Sequence, residues 1–401
     1  MKSVLVLGGG KVGKSVAELF LACGRGEYKV TLADREAANL REAEANINRL
    51  RGLVRHPTEF AAHRLDAADP IAVREALRGH DYVVCMLPFD LVAGIADAAN
   101  ELGVHYFDVT EDVETTDRVR EIAQSGRAKV ALVPQCGLAP GYIAIAAHDI
   151  AREFTHVHDL TLRVGALPQY PTNALKYNVT WSVAGVVNEY CEPCNVMLDG
   201  SMVKVPALEG LENFSFEGVE YEAFYTSGGV GTLVETLVNA KKTGSETKIA
   251  YKTIRYPGHR DLMKFLLQDL RLNVEHADAG RGGKVFDRKL AMDLLDHALP
   301  RTLQDVVVIF INCIGMKEGI RQQVNFQRSI RATNMFGRVW PAIELTTAAG
   351  VCAMVELHRT GAVPATGLVK QEGCSLESFN RTLFGMAYER PDEIERAVLG
   401  R

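Results

Sequence analysis

"VLVLGGGKVGKSVAELF", residues 4–20, is the stretch that decides the fold. Val4 to Leu7 is a short apolar run of the kind that makes a fully buried strand, and three glycines follow at once. Gly8, Gly10 and Gly13 fit G-x-G-x-x-G, a spacing that a chain with 35 glycines also produces by chance, so the context has to carry the reading. After Gly13 the apolar residues Val16, Leu19, Phe20 and Cys23 recur at helical spacing, and Gly24 and Gly26 end the helix. A second strand, "YKVTLADR", closes on Asp34, 21 residues past Gly13, where a ribose-binding carboxylate belongs in a βαβ unit. The glycines serve separate needs: Gly8 the tight turn, Gly10 the approach of the pyrophosphate, Gly13 close contact of helix and sheet. The first-turn amides of Lys11, Val12 and Gly13 then face the phosphates. Strand, glycines, helix, strand and acid fall in register, which makes this a dinucleotide-binding unit rather than a structural turn.

The 401 residues suffice for about two domains, and 47% hydrophobic with 24% charged residues is ordinary for a globular chain. A formal net charge of -5 leaves no basic footprint, which argues against nucleic acid and anionic membranes and for a small-molecule partner. No apolar run approaches the ~20 residues of a membrane span, and the N-terminal strand lacks signal-peptide order, so a cytoplasmic protein is expected. Eight cysteines in so long a chain do not form a disulfide scaffold; Cys85, Cys136, Cys313 and Cys352 sit in apolar surroundings and read as buried thiols. Cys191 and Cys194 form one C-x-x-C with no second Cys or His pair at zinc spacing, so no metal site is expected.

The first 150 residues alternate strand and helix signals. "HRLDA", "YVVCMLP", "HYFDVT" and "VALVPQCG" read as further strands, separated by helices at 70–79, 90–103 and 112–125. The expected architecture is α/β, a Rossmann doubly wound parallel sheet. Ligands in such sheets bind beyond the carboxyl ends of the strands, so Asp34, Asp66, Leu87, Pro88, Asp108, Gln135 and Cys136 become site candidates. From about 158 the pattern changes to longer strands, "DLTLRVGAL", "VEYEAFYTSG", "TKIAYKTIRYP", "DVVVIFINCIG" and "QQVNFQRSIR". The last two alternate apolar and polar residues around "MKEGI", the signature of an antiparallel hairpin in a second, mixed α+β domain for substrate and dimerisation. A helix is expected over 340–361, and "DAGRGGKV" at 278–285 is the segment expected to be a mobile loop.

A two-domain dehydrogenase places its substrate between the nucleotide fold and the second domain, so recognition groups are sought in the second. "GALPQYPTNALKYNVTWS" (165–182) carries Lys176, Tyr177 and Trp181 in a loop before a helix capped by Thr180 or Ser182. "YEAFYTSGG" (221–229) ends a strand in Thr226 and Ser227 before another helix, an expected anion pocket. "YKTIRYPGH" (251–259) ends a strand with Arg255, Tyr256 and His259, and "YFDVTED" (106–112) puts Asp108 at the mouth of the parallel sheet. Removing hydride from a carbon that bears an amine needs orientation, a base for the nitrogen proton and a path for water. An amino acid carboxylate needs a cation, and arginine offers two parallel donors, so Arg255 is assigned to it. Asp108, Lys176, Tyr177 and His259 are the catalytic candidates, with Trp181, Thr226, Ser227 and Cys136 against the substrate.

With these stretches quoted, the chain resembles the saccharopine dehydrogenase family, in the branch that includes lysine 6-dehydrogenase. The likeness rests on the glycine motif, "PQCGLAPG" (134–141), "GALPQYPTNALKYNVTWS", "NEYCEPCNVMLDG" (188–200) and "YKTIRYPGH", and covers nearly the whole chain. It implies a discontinuous Rossmann domain over 1–125 and about 335–401, with the substrate and dimerisation domain at about 126–334. It also implies a "GLAPG" turn near the nicotinamide, adding Gly137 to Cys136, Leu87 and Pro88, and a homodimer. The family's substrate-contacting tryptophan and arginine match Trp181 and Arg255. Ala166 and Ala174 stand where the family pattern has glycine and proline.

Asp34 would hydrogen-bond the ribose hydroxyls and repel a 2′-phosphate, so NAD is expected ahead of NADP, although Arg35 beside it pulls the other way. The reading that results is an oxidoreductase acting on the CH–NH bond of a lysine-derived amino acid. Saccharopine would yield glutamate and aminoadipate semialdehyde; lysine, oxidised at its ε-amine, would yield the semialdehyde and ammonia. Saccharopine's three carboxylates call for further cations, sought among Lys176, Arg281, Arg288 and Arg331. The alternative of another class is a non-catalytic nucleotide-binding scaffold.

Overall fold

The computed structural model describes residues 1–56, 58–126, 128–274 and 286–400; the loop expected at 278–285 and Arg281 lie outside them. The chain divides into two compact units. Unit 1 comprises Met1–Asp149, Thr333–Trp340 and Glu344–Arg401, and unit 2 comprises Ile150–Ala332 and Pro341–Ile343.

Unit 1 is built on β1 (Lys2–Leu7), β2 (Tyr28–Asp34), β3 (Glu59–Arg64), β4 (Tyr82–Cys85), β5 (His105–Asp108) and β6 (Ala131–Val133). With the short strand Gly367–Leu368 they make one seven-stranded sheet whose pairings are all parallel, running from Gly367–Leu368 through β6, β5, β4, β1 and β2 to β3. Val4 to Leu7 is wholly buried, as the unbroken apolar run requires of a strand covered on both faces. Helix α1 (Lys11–Cys23) lays Val16, Leu19 and Phe20 against the core and stops where the Gly24 amide bonds back to the Phe20 carbonyl. Because β2 lies on one side of β1 and β4 on the other, the carboxyl ends of β1 and β4 form the switch point where doubly wound sheets bind ligands.

The first unit continues past the expected limit at 125, to Asp149. The reason is pairing: β6 is an inner strand, held by β5 on one side and Gly367–Leu368 on the other. The return of the chain after 340 comes through the helix Ala342–Arg359.

Unit 2 carries β7 (His156–Pro168), β8 (Cys194–Leu198), β9 (Ser201–Val205), β10 (Glu212–Phe216), β11 (Val219–Tyr225), β12 (Lys248–Arg255), β13 (Asp305–Lys317) and β14 (Ile320–Arg331). Six of them run β10-β11-β12-β7-β13-β14, with β8 paired to β12 and β9. β7 and β12 are parallel and the other pairings antiparallel, a mixed sheet. β13 and β14 form the hairpin read from their alternation, and Glu318 and Gly319 at its turn both take positive φ, as a tight two-residue hairpin turn demands. Cys191 ends the helix Val183–Cys191 and Cys194 starts β8; neither is in a disulfide. Among the described residues no helix is long and apolar enough to cross a membrane.

Candidate active site

In unit 1 the glycines form a cradle that larger residues would fill. A Cβ on Gly13 would stand 1.8 Å from the Gly8 carbonyl oxygen, and one on Gly8, at φ 100°, would stand 2.6 Å from the Met86 carbonyl. A Cβ on Gly10, the residue that opens α1, would meet no protein atom within 4 Å. The loop is therefore closed toward the sheet and open over the helix start, where Lys11, Val12 and Gly13 begin α1 and its first-turn amides have no intrahelical acceptor. These features fit a dinucleotide pyrophosphate.

Asp34 ends β2 beside this loop. Its Oδ2 accepts the Gly9 amide at 2.6 Å, while Oδ1 accepts the Glu36 amide at 2.6 Å and the Asn39 side chain at 3.3 Å. The Arg35 side chain next to it is 74% exposed, with Nε 3.5 Å from Glu36. Asp66 is exposed beyond the end of β3 and closes its own turn through the Ala68 amide. Leu87 packs on the core beyond β4, and Pro88 opens the helix Phe89–Leu102.

Asp108, at the end of β5, is completely buried. Its Oδ1 accepts the amides of Thr110 and Gln135, both at 3.0 Å, and its Oδ2 has no hydrogen-bond partner. Burial drives its carboxyl up to about 6, against the lowering effect of the two amides. The Asp108 backbone carbonyl takes the Cys136 amide at 2.8 Å, so one residue pins the turn that carries Gln135, Cys136 and the buried Gly137. The Cys136 thiol donates to the Val133 carbonyl and is pushed well above its ordinary value by burial, which makes it a packed thiol rather than a nucleophile.

In unit 2 the groups assembled around Arg255 come from three stretches. Asn173 closes the loop before Tyr177, donating from Nδ2 to the Tyr177 carbonyl at 2.7 Å and accepting the Tyr177 amide at 3.4 Å. Ser182 caps the helix Val183–Cys191 through the Gly185 amide, and that helix brings Tyr190 inward. Glu222 on β11 accepts the amides of Gly258 and Arg260, which fixes His259 at the start of the helix His259–Lys264.

Arg255 is only 3% exposed and lies across the rings of Tyr177 and Tyr190, 5.2 and 5.8 Å from their centroids. Its Nη1 donates to the Ile254 carbonyl at 2.9 Å; its Nε has no partner, and neither has the buried Tyr177 hydroxyl. His259 is buried with both ring nitrogens occupied, Nδ1 2.9 Å from the Leu175 carbonyl and Nε2 3.1 Å from the Tyr190 hydroxyl. The carbonyl fixes the proton on Nδ1, so Nε2 accepts from Tyr190. Burial, and then the Arg255 charge, lower His259 to about 3, and the imidazole stays neutral.

The other second-unit candidates are less central. The Lys176 ammonium is exposed and donates to the Pro257 carbonyl at 2.8 Å. Trp181 is partly buried and packs on the cluster containing Tyr177 and Val186. Thr226 and Ser227 are buried; the Thr226 hydroxyl pairs with that of Thr253 at 2.7 Å and the Ser227 amide with the Glu189 carbonyl. The following helix starts only at Leu233, so no helix N-terminus directly follows Thr226 and Ser227, as the expected anion pocket would need. Arg288 pairs with Glu192 at 2.6 Å, and Arg331 is exposed at the end of β14. Tyr190 escaped the sequence reading, because beside Val186 and Val187 it has the spacing of a core residue.

Comparison with known proteins adds the following. Residues 4–133 match the family model of the saccharopine dehydrogenase NADP binding domain, and residues 137–383 that of the saccharopine dehydrogenase C-terminal domain. Mouse mitochondrial alpha-aminoadipic semialdehyde synthase is 24% identical over 304 residues, 67% of this chain and 31% of that protein. The saccharopine dehydrogenase [NADP(+), L-glutamate-forming] of Schizosaccharomyces pombe is 24% identical over 219 residues, 53% of this chain and 45% of that one. The matches thus span less than half the length of either curated relative. Among solved structures, apo saccharopine dehydrogenase (L-Glu forming) from Saccharomyces cerevisiae shares the fold, with a TM-score of 0.74 at 16% identity over 96% of this chain and 97% of that one.

The N-terminal match overturns the expectation of NAD ahead of NADP. That expectation needed Asp34 to face the ribose as a free carboxylate. Instead both its oxygens are held by the Gly9 and Glu36 amides, and the exposed neighbour is the cationic Arg35.

Proposed function

Because the chain belongs to the saccharopine dehydrogenase family, we propose that it is an NADP-linked oxidoreductase that cleaves saccharopine at its CH–NH bond, releasing glutamate and aminoadipate semialdehyde. When bound, the dinucleotide supplies the hydride acceptor. The rest is the work of the chain's own groups. Gly8 and Gly13 let the loop close on the sheet, Gly10 leaves room for the pyrophosphate at the α1 start, and Arg35 takes the 2′-phosphate.

One observation carries the substrate side: Arg255 is a buried cation whose Nε lacks a hydrogen-bond partner. A buried guanidinium with a spare donor is a receptor for a carboxylate, which satisfies the donor and offsets the charge. The Tyr177 hydroxyl, also buried and spare, provides a second hydrogen bond to the same ligand. His259 holds the Tyr190 hydroxyl and remains neutral beside Arg255, so it positions this wall and takes no proton itself. Oxidation of the secondary amine removes a hydride and the nitrogen proton, and water then cleaves the imine.

The test is to follow nicotinamide reduction with saccharopine and with lysine, each with NADP and with NAD. Turnover of saccharopine with NADP is expected. Turnover of lysine alone, with release of ammonia, would shift the reaction to the ε-amine, and cofactor binding without turnover of either would leave a nucleotide-binding scaffold.

A further inference from the structure

His156, His158 and Glu246 of unit 2 stand apart from every residue given a role above, and we propose that they form a zinc(II) site. His156 and His158 flank Val157 near the start of β7, where the register against β13 shifts at His158, and their ring centroids lie 5.0 Å apart. Glu246 comes from a turn some 90 residues away and lies between them. Its Oε1 is 2.7 Å from His156 Nε2 and 3.3 Å from His158 Nδ1, and the three donor atoms all lie within 4.8 Å of one another. Zinc bonds of ~2.0–2.1 Å in tetrahedral array put ligand atoms about 3.3 Å apart. Of the three separations, His158 to Glu246 already has that value; His156 to Glu246, at 2.7 Å, and the two histidine nitrogens, within 4.8 Å, reach it by rotation of partly exposed side chains.

The backbone holds this arrangement in place. Val157, the residue between the two histidines, donates its amide to the Lys242 carbonyl at 2.8 Å and accepts the Thr247 hydroxyl at 2.7 Å. Thr247 is completely buried and closes the turn on itself, its hydroxyl accepting the Gly244 amide at 2.8 Å and its own amide bonding the Gly244 carbonyl at 3.1 Å. The turn bearing Glu246 is therefore stapled from both its ends to β7 at Val157, between the two histidines. The Lys242 ammonium is turned to the carbonyls of Arg152 and Phe154. Two imidazoles and one carboxylate suit zinc, and with the histidine side chains 26% and 25% exposed, water can complete the fourth position.

The test is to titrate zinc(II) alone into the untagged, metal-free chain by equilibrium dialysis, with thermal melting alongside. One zinc per chain is expected, together with a rise in Tm. His158→Gln and Glu246→Gln should each weaken binding at least tenfold and abolish the rise, whereas Cys191→Ser should keep both. The proposal fails if the chain binds no more zinc than the double variant of His158→Gln and Glu246→Gln, or if binding is lost in Cys191→Ser instead.

Discussion

The guanidinium carbon of Arg255 lies 5.2 Å from the ring centroid of Tyr177, and each of these buried side chains keeps one donor atom without a hydrogen-bond partner. Leaving a buried donor unsatisfied costs about 1–3 kcal/mol, a cost that a bound carboxylate removes. Arg255→Ala is expected to lower kcat/KM for the amino acid on the order of a hundredfold, with Kd for NADPH unchanged. Arg255→Lys should recover only part of this, since an ammonium lacks the planar fork. Steady-state kinetics and a nucleotide titration on the two variants decide it; an intact kcat/KM in Arg255→Ala would remove Arg255 from the substrate.

We propose that Arg35 sets the choice between cofactors. Its exposed side chain follows directly on Asp34, whose carboxylate is held by the Gly9 and Glu36 amides. Arg35→Ala is expected to raise KM for NADP roughly tenfold, the weight of one charge-assisted contact, while KM for NAD stays put. An equal effect on both cofactors would show that Arg35 does not touch the 2′-phosphate.

The local part of this architecture was legible in the sequence and the long-range part was not. Val4 to Leu7, the glycines, α1 and Asp34 follow one another within a single βαβ unit, so their order alone specified the dinucleotide-binding unit. The hairpin of β13 and β14 was equally local. The limit at 125 came from the resemblance, whereas the alternation over the first 150 residues already placed β6 in the sheet; only its pairing with Gly367–Leu368, far along the chain, was hidden. Cofactor preference was misread because position named Asp34 as a ribose ligand, while its hydrogen bonds to Gly9 and Glu36 exist only in the folded loop. Glu246 could not be joined to His156 and His158 by spacing, and Tyr190 gave no sign of facing Arg255.

Gly13 admits no side chain. A Cβ there would stand 1.8 Å from the Gly8 carbonyl oxygen, a backbone atom that cannot swing aside. Gly13→Ala must therefore push α1 away from the loop, and Kd for NADPH is expected to rise at least tenfold in a titration. Wild-type affinity in this variant would refute the cradle.

Asp108 links stability to pH. Burial raises its carboxyl from the ordinary 3.8 to about 6, so in the window between these values the folded chain keeps a proton that the unfolded chain has lost. The group's stabilising contribution is fully present below the lower value and is lost as pH rises through about 6. Asp108→Asn keeps an acceptor for the Thr110 and Gln135 amides and removes the charge. At about pH 8 it should be more stable than the wild type, by on the order of 2–3 kcal/mol, and melt at a higher temperature, and the gain should fade toward pH 4. Melting curves at the two pH values test this, and a gain that does not depend on pH would contradict it.

The stoichiometry of products from saccharopine and NADP decides whether the chain oxidises saccharopine to glutamate and the semialdehyde. One glutamate is expected for each NADPH formed, with no ammonia. NADPH formation without glutamate, or no NADPH at all from saccharopine at saturating NADP, would contradict it.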